Sequence, residues 1–189
     1  MAKIYSTIDD RLKAFIEGQR MFFVATAPST TDGHINLSPK GIEALRVTGD
    51  QEVAYLDFIG SGVETIAHIR ENGRIVVMLC AFEGPPNIIR LHGRGAVVEP
   101  QDPDFERLTS IFGPNSERRG VRAIVRVEVE RISDSCGYGV PLYDYKGQRS
   151  QLSAWADHRS DDELKDYQRQ KNAKSLDGLP GLRWPSAGE

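Results

Sequence analysis

A chain of 189 residues, 39% apolar and 27% charged, has the length and composition of one globular domain. Its net charge of -3 speaks against general nucleic-acid binding, which asks for a basic excess. Two cysteines without a short pairing motif, Cys80 and Cys136, read as free thiols of a cytoplasmic protein, and MAKIYSTIDD at the start is expected to carry neither a leader nor a membrane span.

Residues 6–18 are expected to be helical: Ile8, Leu12, Phe15 and Ile16 fall on one face, and Ser6 with Asp9 suits a capped start. Residues 21–27 (MFFVATA) and 34–38 (HINLS) read as strands separated by a turn. Pro39, Lys40 and Gly41 interrupt the second strand, which marks a bulge or a sheet edge. Strand character resumes over 42–48, and Gly49-Asp50 turns the chain into a strand over 52–58.

A short helix follows Gly60-Ser61-Gly62, with Val63, Ile66 and Ile69 on one face and Asn72-Gly73 as its end. RIVVMLCAF over 74–82 is nearly all apolar, the pattern of a strand covered on both faces. A long strand returns over 87–99, with Gly93 and Gly95 as bulge or bend positions. A helix over 103–112 turns Phe105, Leu108, Ile111 and Phe112 inward. Residues 121–129 alternate and read as a half-buried strand with Arg122, Ile124, Arg126 and Glu128 facing away from the valines. The Gly-rich, aromatic 135–145 is a loop, 161–173 a polar helix anchored by Leu164 and Tyr167, and the last stretch is extended and partly disordered. Strands in consecutive hairpin-like pairs favour an antiparallel barrel or sandwich over a doubly wound sheet.

The turn at Gly60-Ser61-Gly62 has two readings. Ser61 and Glu64 have the spacing of a capping box, which explains the turn without a ligand. Ser61, the N–H groups after it and the Thr65 hydroxyl could equally surround a phosphate at the helix N-terminus, with Glu64 as the awkward acid. No Gly-Lys-Ser/Thr follows, so the turn is not a P-loop. Lys40 is a positive group in an apolar strand context, and Arg90 with His92 shares a strand face. The four histidines show no metal spacing, and no nucleophile elbow is present. Trp155 and Trp184, among polar residues, read as covers for a pocket, an interface or the tail's own packing.

Taken in order, INLSPKG, VAYLDF, GSGVET, AHIRENGRIVVMLCAF and IIRLHGRG resemble the pyridoxamine 5'-phosphate oxidase-like proteins, the FMN-binding split β-barrel group. The resemblance runs over about 21–132 and is strongest to a branch in which CAFEGPP and CGYGVP also recur. It implies a mainly β (α+β) fold, a six-stranded antiparallel split β-barrel with short flanking helices. The FMN-binding domain would span 1–150 and a helical or extended tail 151–189. It further implies a homodimer with FMN between subunits. Asn36, Ser38, Pro39 and Lys40 would lie along the flavin and its tail; Ser61, Gly62, Glu64 and Thr65 at the phosphate; Phe82 and Arg90 on the strand pair lining the pocket from the partner side; and Trp155 across its mouth.

Two departures matter. The Ser-Arg-Lys run of the true oxidases is replaced here by Gly-Ser-Gly-Val-Glu-Thr, and their C-terminal Trp and Arg motif is not evident. The expected function is therefore an FMN-binding oxidoreductase acting on an unidentified small molecule. The alternative is a binding module for haem, deazaflavin or stored flavin. No catalytic residue stands out, because flavin carries the chemistry itself. No metal, nucleic acid or membrane is expected as a partner.

Overall fold

The computed structural model describes residues 3–184. β1 (Ile4–Tyr5) leads into α1 (Asp10–Gly18), which buries Leu12 and Ile16. The helix begins later than its apolar period implied, because Asp9 and not Ser6 is the N-cap: the Asp9 carboxylate accepts the Leu12 N–H at 2.8 Å. Asp9→Ala is expected to cost about 1 kcal/mol of stability. The check is a lowered urea midpoint at unchanged slope.

β2 (Phe22–Thr26), β3 (Asn36–Lys40), β4 (Leu45–Gly49) and β5 (Glu52–Phe58) follow. Pro39 lies inside β3, opposite Phe23, and is tolerated there because β3 is a sheet edge. The strand expected from 42 starts only at Leu45, since Ile42 and Glu43 have φ of 62° and 54°. Left-handed backbone is unusual for any L-residue and strained for a β-branched one.

α2 (Glu64–Asn72) ends on Gly73, whose φ of 73° gives it the left-handed cap. β6 (Arg74–Cys80) and β7 (Ile88–Val98) pair next, and the register of β7 against its neighbour shifts between His92 and Gly93, where a bulge was expected. Gly95 shows no such shift; a Cβ there would press on Ile69 at 2.8 Å, so the glycine lets α2 lie close to β7. α3 (Phe105–Thr109) continues as a tighter 3-10 turn to Glu117, burying Leu108 and Phe112 but leaving Ile111 40% exposed, against expectation.

β8 (Val121–Ser135) is longer than its alternation implied, and its first half is covered on both faces. Arg122 and Ile124, expected to face away from the core, are buried, while Ala123 packs under Val63, Ile66 and Leu182. α4 (Gln151–Asp157) has no counterpart in the sequence reading; α5 (Asp161–Lys171) starts with a capping box between Ser160 and Glu163. Ala156 and Leu164 from these two helices pack on Ile59. Beyond them Lys174 bridges Pro180, Leu182 is buried, and Arg183 reaches Glu99 and Asp102. Residues 185–189, the end of the stretch expected to be partly disordered, lie outside the described residues.

All pairings are antiparallel, in the order β3-β2-β6-β7-β8-β5-β4, with β1 added beside β8. The sheet thus has eight strands among the described residues where the resemblance implied six; β1 is two residues long, and β3 and β4 are short edges. The two edges sit at opposite ends of this order, yet only residues 41–44 connect them. A link of that length reaches roughly 17 Å at most. The sheet must therefore curl until its edges approach, although no ladder closes them. Tyr55, Phe22, Val77, Leu91, Val125 and Ile132 fill the interior of that curl.

Candidate functional site

Period-two alternation along the edge strand β3 turns Asn36, Ser38 and Lys40 to one face and Leu37 and Pro39 to solvent. The inward face meets α2 and β5. Asn36 donates its amide to Thr65 Oγ1 at 2.9 Å and to Thr26 Oγ1 at 3.2 Å, and Ser38 donates to Asn36 Oδ1 at 2.9 Å. Thr26 Oγ1 also meets His68 Nδ1 at 3.0 Å. His68 is fully buried and its Nε2 has no partner among the described residues; burial lowers its pKa from the ordinary histidine value.

Lys40, at the end of the same stripe, donates to Asp57 Oδ1 at 2.7 Å. Arg122 Nε donates to the other carboxylate oxygen at 2.8 Å, and its Nη1 to the Gly62 carbonyl at 2.8 Å. Burial of Asp57 alone would raise its pKa; the adjacent Arg122 and Lys40 overcome that and hold it at about 2.

The Gly60-Ser61-Gly62 turn is built differently from its sequence pattern. The N-cap of α2 is Val63, no side chain among the described residues caps the helix, and Glu64 is its first residue, so the capping-box reading of Ser61 and Glu64 is not realised. Glu64 instead folds back over the turn, where a Cβ on Gly62 would sit 3.2 Å from its carboxyl carbon, and accepts the Leu176 N–H at 3.2 Å. A carboxylate at that place already satisfies the positive end of the helix dipole. The turn's carbonyls are held from below: Asn172 Nδ2 donates to Gly60 O at 2.9 Å and to Gly62 O at 3.3 Å. Ser61 is exposed.

Beside Lys40 opens a cavity of about 1060 Å³. Its walls are the end of β3, the α1–β2 connection, Phe82 and the irregular arm 141–150 that carries Tyr143 and Tyr145. Four cations (Arg20, Lys40, Lys146, Arg149) and two carboxylates (Glu83, Asp144) line it, an excess of positive charge. The arm is fixed at few points. Tyr143 donates its N–H to Phe82 O at 3.0 Å, their rings lying 5.5 Å apart, and Gln148 Oε1 accepts the N–H of strained Ile42 at 3.1 Å.

Of the expected site residues, Pro39, Lys40 and Phe82 line the cavity, while Asn36, Ser38 and Thr65 form the polar stripe that leads to it. Gly62 is tied to Lys40 through Arg122 and Asp57. Arg90 lies apart on β7, bonded to Ser135 Oγ at 2.9 Å. Trp155 also lies away from the cavity wall; its ring is 4.8 Å from Tyr167 and 4.0 Å from the Arg159 guanidinium, although Gln151 and Leu152 of the same helix line the cavity. Asp57, Arg122, Gln148 and Asn172 were not singled out from the sequence. Asp57 did carry a signal, a lone charge inside an apolar run, whereas Arg122 looked like one more of the alternating charges of its strand.

Among the described residues no three His, Cys, Asp or Glu side chains gather as a metal site, and no helix is long and apolar enough to cross a membrane.

A curled, unclosed antiparallel sheet with short helices at its ends is the split-barrel class of fold. The family model for pyridoxamine 5'-phosphate oxidase matches residues 8–136, and the chain belongs to this family. The pyridoxamine 5'-phosphate oxidase family protein ustO of Aspergillus flavus is 39% identical over 197 aligned positions, covering 96% of this chain and 78% of that protein. The solved structure of HupZ from Group A Streptococcus is 25% identical with a TM-score of 0.53, over 66% of this chain and 91% of HupZ. A Lactobacillus delbrueckii structure, 15% identical, shares the fold with a TM-score of 0.51 over 69% of this chain and 98% of its own.

Proposed function

We propose that the protein binds FMN and acts as a flavin-dependent oxidoreductase on a small molecule. One observation carries this reading: the roughly 1060 Å³ cavity beside Lys40, with aromatic walls and an excess of cations. Ligand cavities of about 300–1,000 Å³ enclose drug-sized molecules, so a mononucleotide has room. Its donor set suits a flat, anionic ligand: Phe82, Tyr143 and Tyr145 offer rings, and Arg20, Lys40, Lys146 and Arg149 offer charge. When bound, FMN supplies the redox chemistry. The chain's own residues bind it and orient the substrate. None of the four histidines lines this cavity, which favours a flavin over a haem held by histidine.

The same reading makes the protein a homodimer. Support comes from Ile35 and Leu37, 78% and 64% exposed on and beside the edge strand β3, next to the polar stripe.

The test is the spectrum of the isolated protein followed by FMN titration, with sedimentation for the oligomeric state. A preparation that is colourless and does not take up FMN would sink the proposal. Glu64→Gln locates the phosphate. If it rests on the α2 N-terminus, removing the carboxylate over Gly62 should tighten FMN binding by roughly three- to tenfold, the scale of a helix-terminus charge effect. Unchanged affinity places the phosphate among the cavity cations.

A further inference from the structure

Two side chains outside the expected site connect its parts. Asp57 on β5 is fully buried, and its two oxygens are divided between Lys40 Nζ and Arg122 Nε, at 2.7 and 2.8 Å. Arg122, itself almost wholly buried, spends its second nitrogen on the Gly62 carbonyl. One carboxylate thus serves two cations. The cluster keeps a single surplus positive charge, and Lys40 is its only member on the cavity wall.

A buried charge cluster contributes little net stability compared with apolar side chains of the same volume. What it does supply is position. A lysine ammonium sits on a flexible four-carbon stem and is otherwise free to swing into water. Here Asp57 holds it in one place, and Arg122 adds the charge that keeps the cluster from being neutral. In the poorly solvated surroundings of the cluster that surplus is weakly screened.

We propose that Asp57 and Arg122 are positioning residues of the ligand site: Asp57 fixes the Lys40 ammonium at the cavity wall, and Arg122 leaves the cluster cationic, so that the site selects a ligand bearing an anionic group over its neutral counterpart. The inference rests on the FMN reading for the identity of the ligand, but not for the placing of Lys40.

The experiment therefore has two arms. The first compares FMN with riboflavin, the same ring system without the phosphate, on the intact chain. The wild type favours FMN. Arg122→Met leaves Asp57 and Lys40 as a balanced pair and should lose roughly tenfold or more of that preference, whereas Arg122→Lys, which retains the charge, should keep it. The second arm follows acetylation of lysines by mass spectrometry without any flavin. Lys40 should react slowly beside exposed Lys13 and Lys165, stay slow in Arg122→Met, and react at least about tenfold faster in Asp57→Asn. If Asp57→Asn does not fold, the Arg122 pair and the wild-type labelling still decide the matter. Full FMN preference in Arg122→Met, or Lys40 labelling as fast as Lys13 in the wild type, overturns the proposal. A wild type that binds neither flavin but protects Lys40 upholds the positioning of Lys40 and removes FMN as the ligand.

Discussion

Asp57→Asn should cost the folded chain about 3–5 kcal/mol, the scale expected when one partner of a buried ion pair is removed. The asparagine has nearly the same shape, so the loss comes from charge: Lys40 and Arg122 are left facing each other with no carboxylate between them. The wild type carries a matching pH signature. The Asp57 pKa is lowered from the ordinary 3.8 to about 2, so its stabilisation is fully present above the unfolded value. It is then lost as pH falls through the folded value. At neutral pH that contribution is about 2 kcal/mol. Urea denaturation at pH 7 and at about pH 2.5 should show a steeper acid loss in the wild type than in the variant. An equal acid loss in both would assign the low-pH sensitivity to other carboxylates.

Gly93→Ala is the second large effect expected, about 3 kcal/mol, toward the upper end of overpacking costs. A Cβ at Gly93 would overlap the Glu128 carbonyl oxygen and lie 2.8 Å from its carbon and 3.0 Å from Val129 Cα. These are backbone atoms of β8, so no rotamer change relieves the collision. The substitution must push β7 from β8 where their register already shifts. Gly139→Ala is the control, because no atom of the described residues lies within 4 Å of a Cβ there. For a chain of this length the melting temperature should drop by roughly 6–12 °C in the first variant and stay nearly fixed in the second. A small drop for Gly93→Ala would mean that the two strands separate easily.

The barrel was legible where a local rule and the tertiary structure agreed. β5 runs from Glu52 to Phe58 as its apolar run indicated, Gly73 ends α2 for the reason its residue type suggests, and Gly93 marks the irregular register. The reading failed where a distant residue decided. Ser61 and Glu64 have capping-box spacing, yet Leu176 and the closeness of Glu64 to Gly62 give that carboxylate another place. The first half of β8 reads as half-buried by alternation, but Arg122 and Ile124, on the face expected to look outward, are buried as well. α4 escaped because it is only seven residues long, and of its short apolar face of Leu152, Trp155 and Ala156 only Ala156 is fully buried. Lys40 was readable as a candidate; the cavity beside it was not, since its walls come from segments between Gly18 and Leu152 and its arm has no periodicity. For Asp57 and Arg122 the charges were visible in sequence but their burial was not, and which charge meets which depends on the β5–β8 register and on the return of β3 to the end of β5.

Asn172 holds the carbonyls of Gly60 and Gly62 across 112 and 110 positions of sequence. On a ribosome, where chains grow at roughly 5–20 residues per second, that gap corresponds to about 6–22 s between the emergence of the turn and the arrival of its clasp. All eight strands of the described residues precede Asn172, so the sheet can assemble while the loop beside its buried charges is still open. The turn is thus among the last parts of the nascent protein to be finished, and a chain stalled before Asn172 would hold a nearly complete barrel with an unsecured site.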